Sequence, residues 1–494
     1  MTTPPLPPTD LDPETFRQYG YQVVDWIADY LDNVEDYPVL SRVQPGEIAA
    51  QLPTSAPDQP ESLDAILNDL DEIIMPGITH WQHPAFFAYF TSSASVPGIL
   101  GEMLTAAINA NGMLWRTSPS ATELEERVLD WLRQALGLPA EFKGIITDTA
   151  SISSLLALAA AREALGLDIR ERGLAARPDL PRLRVYISEQ AHSSIAKGAI
   201  TLGIGAENVL NVPLDEAFRM DVTALGRMIA ADVADGYLPM AVAATVGTTS
   251  TTAVDPVPEI AVLCREHGIW LHVDAAWAGN AALVPEYQHL LAGVEQADSF
   301  VFNPHKWLFT PVDASCFYVR RPEVLKQAFS LVPEYLRTAH SDVNNYMDWG
   351  VQLGRRFRAL KLWLVVRMFG LDGLRARLRE HLRLGDLFAG WVDAHPDFER
   401  MAPNPIATVC FRLHPARLRG DESAEAYAYL DQLNQALMDA VNAEGEIFIS
   451  HTKLHGKLVL RLAVGNIRTT EAHVQHAWHA LQSHAARLDE LRGE

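Results

Sequence analysis

From residue 96 onward, the sequence alternates between helical stretches and short runs of β-branched and apolar residues. This alternation is typical of a largely parallel sheet that is covered by helices on both faces. We predict strands at 144–147, 184–188, 240–246, 269–273, 299–302 and 316–319. The last of these is a candidate for an antiparallel strand. Helices are predicted at 122–136, 153–165, 258–267 and 354–369. The expected fold class is therefore α/β.

The segments on either side of this region have a different character, so we expect three parts: 1–95, 96–372 and 373–494. The first contains a helix at 13–34 with an apolar stripe and a second helix beginning near Ser62, joined by a Pro-rich stretch. Two such helices cannot form a core alone, and we interpret them as an arm that packs on something else, such as another subunit. The last part should be a small α+β domain, with strands at 408–413, 446–450 and 457–464 and helices at 424–441 and from Thr470.

Charge and cysteine content exclude several classes of protein. A formal net charge of −22 argues against binding to nucleic acid or to an anionic membrane surface, because both require concentrated Lys and Arg. The three cysteines are far apart and form no Cys-x-x-Cys pair, so neither a disulfide framework nor a thiolate metal site is expected. We see no secretory leader and no apolar run of membrane-spanning length. These features favour a protein of the reducing cytosol.

The polar residues directly after the predicted strands are the candidates for chemistry, because ligands of open α/β sheets bind outside the carboxyl ends of strands. Four such segments stand out: 148–151, 190–194, 272–276 and 303–307. Asp274 could hold a heterocyclic nitrogen protonated, although Asp is also common in turns and at helix caps. Lys306 follows one strand later, and partial burial would suit it to form a Schiff base.

The other two segments have open interpretations. Thr149, Ala150 and Ser151 stand at the start of a helix, where backbone N–H groups favour phosphate, but simple capping of that helix by Ser151 explains the same residues. His192 could stack on a cofactor ring. A zinc site is less attractive, since no His-Glu-x-x-His spacing occurs.

Taken together, the strings at 118–125, 190–194, 272–276 and 303–307 resemble the group II amino acid decarboxylases that depend on pyridoxal 5′-phosphate (PLP). The likeness extends from Trp81 to the C-terminal helix. Segments 87–90, 333–336 and 354–358 resemble the aromatic branch of that family. The resemblance implies the type I fold of aspartate aminotransferase and an enzyme that works as a homodimer with shared active sites.

The resemblance also implies roles for individual residues. Lys306 would carry PLP as an imine, and Asp274 would pair with its pyridine nitrogen. His192 and Ala276 would cover the two ring faces. The remaining cofactor contacts would be Thr149, Ala150, Ser151, Thr248, Asn303, His305 and Gly354. Tyr89, Phe90 and Thr91 would lie in the substrate pocket, Trp81 and Met113 would reach it from the other subunit, and Tyr335 would protonate the substrate at Cα.

The expected reaction is decarboxylation of an aromatic L-amino acid of the tryptophan, 5-hydroxytryptophan, dihydroxyphenylalanine, tyrosine or phenylalanine class to the arylalkylamine and CO2. An alternative is oxidative decarboxylation to an aldehyde. Related aldehyde synthases alter the loop Tyr or the ring-stacking His, whereas Tyr335 and His192 are both present here. An aminotransferase using Arg461 or Arg468 and a non-catalytic PLP-binding protein are weaker alternatives. Unusual residues at Thr91, Asn111, Met113 and Arg116 leave the substrate open, and Gly354 is small where some tyrosine-preferring plant relatives have Ser.

Overall fold

The computed structural model describes residues 10–331 and 343–490. Its larger sheet has seven strands: β1 (Lys143–Thr147), β2 (Leu183–Ser188), β3 (Val209–Val212), β4 (Leu238–Thr245), β5 (Trp270–Asp274), β6 (Ser299–Phe302) and β7 (Ser315–Val319). They lie in the order β1-β7-β6-β5-β4-β2-β3. Strands β2 to β6 pair in parallel, and β7 is antiparallel to both β1 and β6. The α/β prediction and the antiparallel strand at 316–319 are confirmed.

The helices cover both faces of this sheet and flank it on either side in the chain. Their bounds are α1 (Pro13–Asp32), α2 (Glu47–Gln51), α3 (Leu63–Asp69), α4 (Val96–Ile108), α5 (Pro119–Ala135), α6 (Ala150–Ala164), α7 (Ile169–Arg172), α8 (Ser194–Thr201), α9 (Val222–Ala234), α10 (Val257–His267), α11 (Pro304–Trp307), α12 (Pro322–Phe329), α13 (Arg358–Ala394), α14 (Ala424–Glu444) and α15 (Glu471–Glu490). Every residue of β5, β6 and β7 is buried, as expected for strands with helices on both sides.

A second sheet contains the four strands β8 (Phe398–Arg400), β9 (Thr408–Leu413), β10 (Ser450–Leu454) and β11 (Lys457–Ala463), all antiparallel in the order β10-β11-β9-β8. The strand predicted at 446–450 is wrong, because β10 begins only at Ser450. The apolar residues before it, Ile447 and Ile449, are buried in the core instead of extending the ladder. The proposed division of the chain at residues 95 and 372 stays a prediction.

Two further elements differ from the sequence-based expectation. Strand β3 was not predicted: it is an edge strand in which only Val212 is buried, so it lacks the fully buried apolar run by which β6 was recognised. The helix predicted at 354–369 begins at Arg358 and continues to Ala394, interrupted at Gly370. Gly370 adopts a φ of 64°, in the left-handed region that glycine tolerates and other residues avoid.

The topology brings the candidate segments to one edge of the larger sheet. Strands β2, β4, β5 and β6 are parallel, so their carboxyl ends point the same way. Strand β1 is antiparallel to β7, which is itself antiparallel to β6, and therefore β1 also ends at this edge. The segments that follow these five strands consequently share one crevice. No helix in the described ranges is long and apolar enough to cross a membrane.

Candidate active site

Asp274 is the last residue of β5 and lies buried at the crevice, with 5% of its surface exposed. Its Oδ1 accepts the backbone N–H of Ala276 at 3.0 Å. The backbone N–H of Ala275 is in turn bonded to Val301 of the neighbouring strand at 2.9 Å. The carboxylate is thus fixed in orientation by its own turn.

Lys306 lies on the short helix α11, directly after β6, and its side chain is partly buried. Burial lowers the pKa of its amine, and the negative charge of Asp274 opposes that shift. The Nζ atom lies 5.3 Å from the centre of the Phe90 ring. An amine with a lowered pKa is more often unprotonated at neutral pH and is therefore a better nucleophile.

Three stacked aromatic rings, those of Phe90, Trp277 and Trp307, hold the backbone next to Lys306. Trp307 packs on Trp277 with ring centres 4.3 Å apart, and Trp277 packs on Phe90 at 4.7 Å. Trp307 also donates its Nε1–H to Nδ1 of His381 at 2.9 Å. Because Trp307 and Trp277 are fully buried, the stack restricts movement of α11. Sequence reasoning noted Trp307 but missed Trp277 and His381, which no local pattern connects to it.

His192 lies in the same crevice, within the electrostatic influence of both Asp274 and Lys306. The imidazole is exposed at the edge of the crevice, and partial desolvation by the surrounding protein is the main cause of its lowered pKa. Its Nδ1 accepts the backbone N–H of Ser194 at 3.2 Å and lies 2.9 Å from the Ser194 hydroxyl. Since a backbone N–H can only donate, the neutral ring carries its proton on Nε2.

Helix α6 begins at Ala150, with Thr149 in the N-cap position. The alternative in which Ser151 caps the helix is therefore wrong, because Ser151 lies within the first turn and is exposed. Asp148 Oδ1 accepts the Thr149 N–H at 2.6 Å. The Ile152 N–H donates to the Thr149 carbonyl oxygen at 3.1 Å, whereas the N–H groups of Ala150 and Ser151 precede the first intrahelical bonds, so this end is suited to bind an anion.

His305 and Asn303 border the crevice beside Lys306. His305 Nδ1 accepts the backbone N–H of Ala314 at 2.9 Å, and burial lowers the pKa of this imidazole to about 3. His305 is therefore neutral, with its proton on Nε2 and available to donate. Asn303 is 2% exposed, and its side-chain oxygen has no hydrogen-bond partner among the described residues.

An unpaired polar atom that is this deeply buried indicates a missing partner. An amide can present either its oxygen or its nitrogen after a half-turn of the side chain, so Asn303 suits a ligand with several polar oxygens. Together with the start of α6 and the neutral His305, this chemistry fits the phosphate of PLP. The residues present therefore fit the cofactor that the resemblance implies.

Thr248 and Ala276, two further predicted cofactor contacts, follow strands β4 and β5 and differ in burial. Ala276 is partly exposed just beyond Asp274. Thr248 is fully buried, and its hydroxyl donates to Gln190 Oε1 at 3.0 Å. Thr251 donates to the same oxygen at 2.7 Å. Gln190 thus joins the turn after β4 to the segment that follows β2.

The aromatic residues predicted to line the substrate pocket form a second group. Tyr89 is 53% exposed and adopts a φ of 54°, and Trp81 stacks on Phe86 with ring centres 4.4 Å apart. Phe90 is buried between Trp277 and Lys306. Thr91 is fully buried, with its hydroxyl 3.4 Å from the Phe86 carbonyl oxygen. Within this group, Phe90 is the residue whose ring lies next to Lys306.

Met113 and Gly354 both lie near Asn111, and neither belongs to the aromatic group just described. Met113 packs with Leu114 and Met347. A Cβ added to Gly354 would lie 3.8 Å from the side chain of Asn111, an ordinary contact distance that leaves room for a larger residue. The contribution of Trp81 and Met113 to the other subunit's site stays a prediction. Tyr335 lies outside the described residues.

Comparison with known proteins gives this site its context. Residues 45–414 match the family model described as the pyridoxal-dependent decarboxylase conserved domain. The chain is 42% identical to a phenylacetaldehyde synthase of Rosa hybrid cultivar, over 96% of this chain and 94% of the relative. It is 41% identical to tyrosine/DOPA decarboxylase 1 of Papaver somniferum, over 98% and 96%.

A solved structure extends the similarity to the fold. Tryptophan decarboxylase of Catharanthus roseus, in complex with L-tryptophan, matches with a TM-score of 0.89 and 39% identity, covering 97% of this chain and 100% of that one. The chain belongs to the pyridoxal-dependent decarboxylase family. It is a PLP-dependent carboxy-lyase of the type I fold, and the family predicted from the sequence is confirmed.

Proposed function

We propose that this enzyme decarboxylates an aromatic L-amino acid to the arylalkylamine and CO2. The observation that carries the proposal is the position of Lys306, whose amine has a lowered pKa, close to Asp274 and next to the ring of Phe90. The named relatives act on or bind aromatic compounds, which supports the same substrate class here. The test is incubation of the PLP-loaded enzyme with a panel of L-amino acids, with amine and CO2 quantified. Release of CO2 from non-aromatic amino acids alone would contradict the proposal.

Each polar residue has a distinct part in this proposal. When bound, PLP supplies an electron-accepting ring that weakens the bond to the substrate carboxylate. The amine of Lys306 would hold the cofactor covalently until a substrate amine replaces it. Asp274 would keep a proton on the ring nitrogen, and His192 and Ala276 would cover the two ring faces. His305, Asn303, Thr149, Ala150 and Ser151 would bind the phosphate, while Thr248 and Gly354 would lie nearby.

Oxidative decarboxylation to an aldehyde is the second candidate, because a phenylacetaldehyde synthase is among the relatives. The presence of both His192 and Tyr335 favours simple decarboxylation. Amine, aldehyde and hydrogen peroxide measured in the same reaction would distinguish the two outcomes.

Replacing Tyr335 by Phe is expected to leave substrate binding intact but divert the product towards aldehyde. The hydroxyl is our candidate for protonating the substrate at Cα. Without that protonation, O2 would oxidise the decarboxylated substrate by two electrons and become hydrogen peroxide, and hydrolysis would then give the aldehyde and ammonia. Product analysis by mass spectrometry tests this, with the partly exposed Tyr427→Phe on α14, away from the site and from α1 and α4, as the control. Unchanged amine formation by Tyr335→Phe would remove Tyr335 from the mechanism.

The proposal includes a homodimer with shared active sites, in which Trp81 and Met113 reach the pocket of the partner. Helices α1 and α4 carry large apolar side chains that are exposed in the single chain. They are Phe16, Tyr21, Val24, Val96, Leu100, Met103, Leu104 and Ile108. A group of this kind is typical of a protein interface.

The three free, buried cysteines are consistent with the cytosolic location that we also propose.

Replacing Leu104 by Glu is expected to weaken the dimer by about 100-fold or more, because an unpaired carboxylate in an apolar interface costs a few kcal/mol and each 1.4 kcal/mol is tenfold in affinity. Activity should then fall at low protein concentration. Light scattering coupled to gel filtration measures the change. Val233→Glu on α9 is the control, since Val233 is similarly exposed but lies on another helix. A dimer unaffected by Leu104→Glu would contradict this interface.

A further inference from the structure

Arg461 is a buried cation in the small sheet for which sequence reasoning offered only a weak role. It lies on β11 with 3% of its surface exposed. Its Nε donates to the carbonyl oxygen of Ser250 at 2.8 Å, and its Nη1 donates to the Ser450 hydroxyl at 3.1 Å. Its Nη2 is buried without a hydrogen-bond partner among the described residues.

No carboxylate of the described ranges forms an ion pair with Arg461, and its ionisable neighbour is the thiol of Cys410. Burial lowers the pKa of the guanidinium, but arginine keeps its charge in proteins. A buried charge without a counter-ion costs several kcal/mol relative to an apolar side chain of similar size. Stabilisation of the sheet alone is therefore a poor explanation for arginine at this position.

The two hydrogen bonds of Arg461 lead to two different segments near the active site. Ser250 lies in the turn after β4, the same turn in which Thr248 and Thr251 are bonded to Gln190. Ser450 accepts the backbone N–H of Tyr89 at 3.2 Å. One guanidinium therefore connects the turn beside the cofactor crevice to the segment that carries Tyr89 and Phe90.

The segment at Tyr89 needs such support. A φ of 54° places Tyr89 in the left-handed region, which costs about 1–2 kcal/mol for a residue other than glycine. Backbone conformations of this kind persist where surrounding contacts determine them. The Ser450 hydroxyl provides one such contact, and Arg461 orients that hydroxyl.

Phe90 provides the link to chemistry. The guanidinium carbon of Arg461 lies 5.5 Å from the centre of the Phe90 ring, and Nζ of Lys306 lies 5.3 Å from the same centre. Trp277 stacks on this ring with an angle of 7° between the planes. Phe90 is thus enclosed by Trp277, the amine and the guanidinium, and a shift of Arg461 would move a ring that borders Lys306.

We infer that Arg461 is a positioning residue: it holds Tyr89 and Phe90 in place relative to the turn at 248–251. We call the pocket that these two aromatic residues border the aromatic subsite. Arg461 acts through its hydrogen bonds to Ser450 and Ser250. The inference rests on the proposed function, since it concerns the pocket for the substrate's aromatic side chain. It predicts that loss of the two hydrogen bonds affects recognition of the ring more than the chemical step.

The test is Arg461→Lys, which keeps the charge but cannot reproduce the forked pair of hydrogen bonds. We expect KM for the preferred aromatic amino acid to rise about tenfold or more, as for the loss of one or two charge-assisted bonds, with kcat changed less than about threefold. A second readout is the affinity for 3-phenylpropionate, which lacks an amine and cannot react. Its dissociation constant, measured by isothermal titration calorimetry, should rise by a similar factor.

Two further variants separate positioning from general destabilisation. Arg412→Lys is the matched control, because Arg412 is another buried arginine of the same sheet, on β9, and its ion pair is with Asp431. It should lower the melting temperature but leave KM and the 3-phenylpropionate affinity unchanged. Ser450→Ala should weaken 3-phenylpropionate binding about threefold. The double variant with Arg461→Lys should raise the dissociation constant by less than the product of the two single increases, because both substitutions break the same Arg461–Ser450 hydrogen bond.

The inference is overturned if Arg461→Lys behaves like Arg412→Lys in all these measurements. If Arg461→Lys does not fold, Ser450→Ala decides alone, and an unchanged dissociation constant contradicts the inference. Activity of the unaltered enzyme on the amino acid panel tests the proposed function separately. If the enzyme released no CO2 from any amino acid of the panel but bound 3-phenylpropionate normally, the proposed reaction would be wrong. The dependence of the aromatic subsite on Arg461 would still be tested by the 3-phenylpropionate affinities.

Discussion

Asp274→Asn is expected to reduce kcat about 1000-fold while leaving the protein folded and able to bind PLP. Asn keeps the size of the side chain and the oxygen that accepts the Ala276 N–H, but it removes the negative charge. Two opposite charges about 4 Å apart near a protein surface interact by about 4 kcal/mol. Since each 1.36 kcal/mol is tenfold in rate, loss of the charge that keeps the ring nitrogen protonated corresponds to about three orders of magnitude.

The measurement is steady-state CO2 release with PLP content determined on the same sample. Asp298→Asn is the matched control, because this carboxylate accepts the Leu271 N–H at 2.9 Å at the opposite end of β5 and pairs with Arg321. The control should retain most of the activity. A decrease of less than tenfold for Asp274→Asn would show that the charge of Asp274 is not needed in the reaction.

Lys306→Ala is expected to have the larger effect, a loss of about 10⁴-fold or more in kcat, comparable to removal of the nucleophile in other covalent mechanisms. The variant should still bind PLP, because His305, Asn303 and the start of α6 remain. It should lose PLP faster on dialysis, since the covalent bond is gone. Added methylamine, which is small enough to enter the vacated space, should restore part of the activity.

Lys361→Met provides the comparison for this experiment. Lys361 is another buried lysine, on α13, where it pairs with Glu102. Its replacement should lower stability by leaving Glu102 without its partner, but it should not change the absorbance of bound PLP. If Lys306→Ala decarboxylated substrate at near the normal rate, the proposed role of this amine would be wrong.

Local sequence patterns predicted the parts of the fold that depend on periodicity and strand ends. The strand at 299–302 was predicted with its correct bounds, and Asp274 and Lys306 were recognised because they follow apolar runs. The isolated run at 446–450 was misassigned because burial in a core and pairing in a sheet require the same apolar residues.

The supporting contacts could not be predicted because they join residues that are far apart in the chain. Trp307 and His381 are 74 positions apart, and Arg461 and Ser250 are 211 apart. Sequence reasoning considered Arg461 only as a residue that could grip a substrate carboxylate. In the structure two nitrogens of its guanidinium are bonded to Ser250 and Ser450, which no local pattern indicated. The candidate residues can thus be located from strand ends and their proposed roles from the family resemblance, whereas the contacts that hold them depend on three-dimensional packing.

The most direct test of the account is borohydride reduction of the PLP-loaded enzyme, followed by digestion and mass spectrometry. Reduction makes the bond between cofactor and lysine permanent, and we expect one phosphopyridoxyl group, on the peptide that contains Lys306. The Lys306→Ala protein treated in the same way should carry none. A label on another lysine, or no label at all on protein with bound PLP, would contradict the central claim.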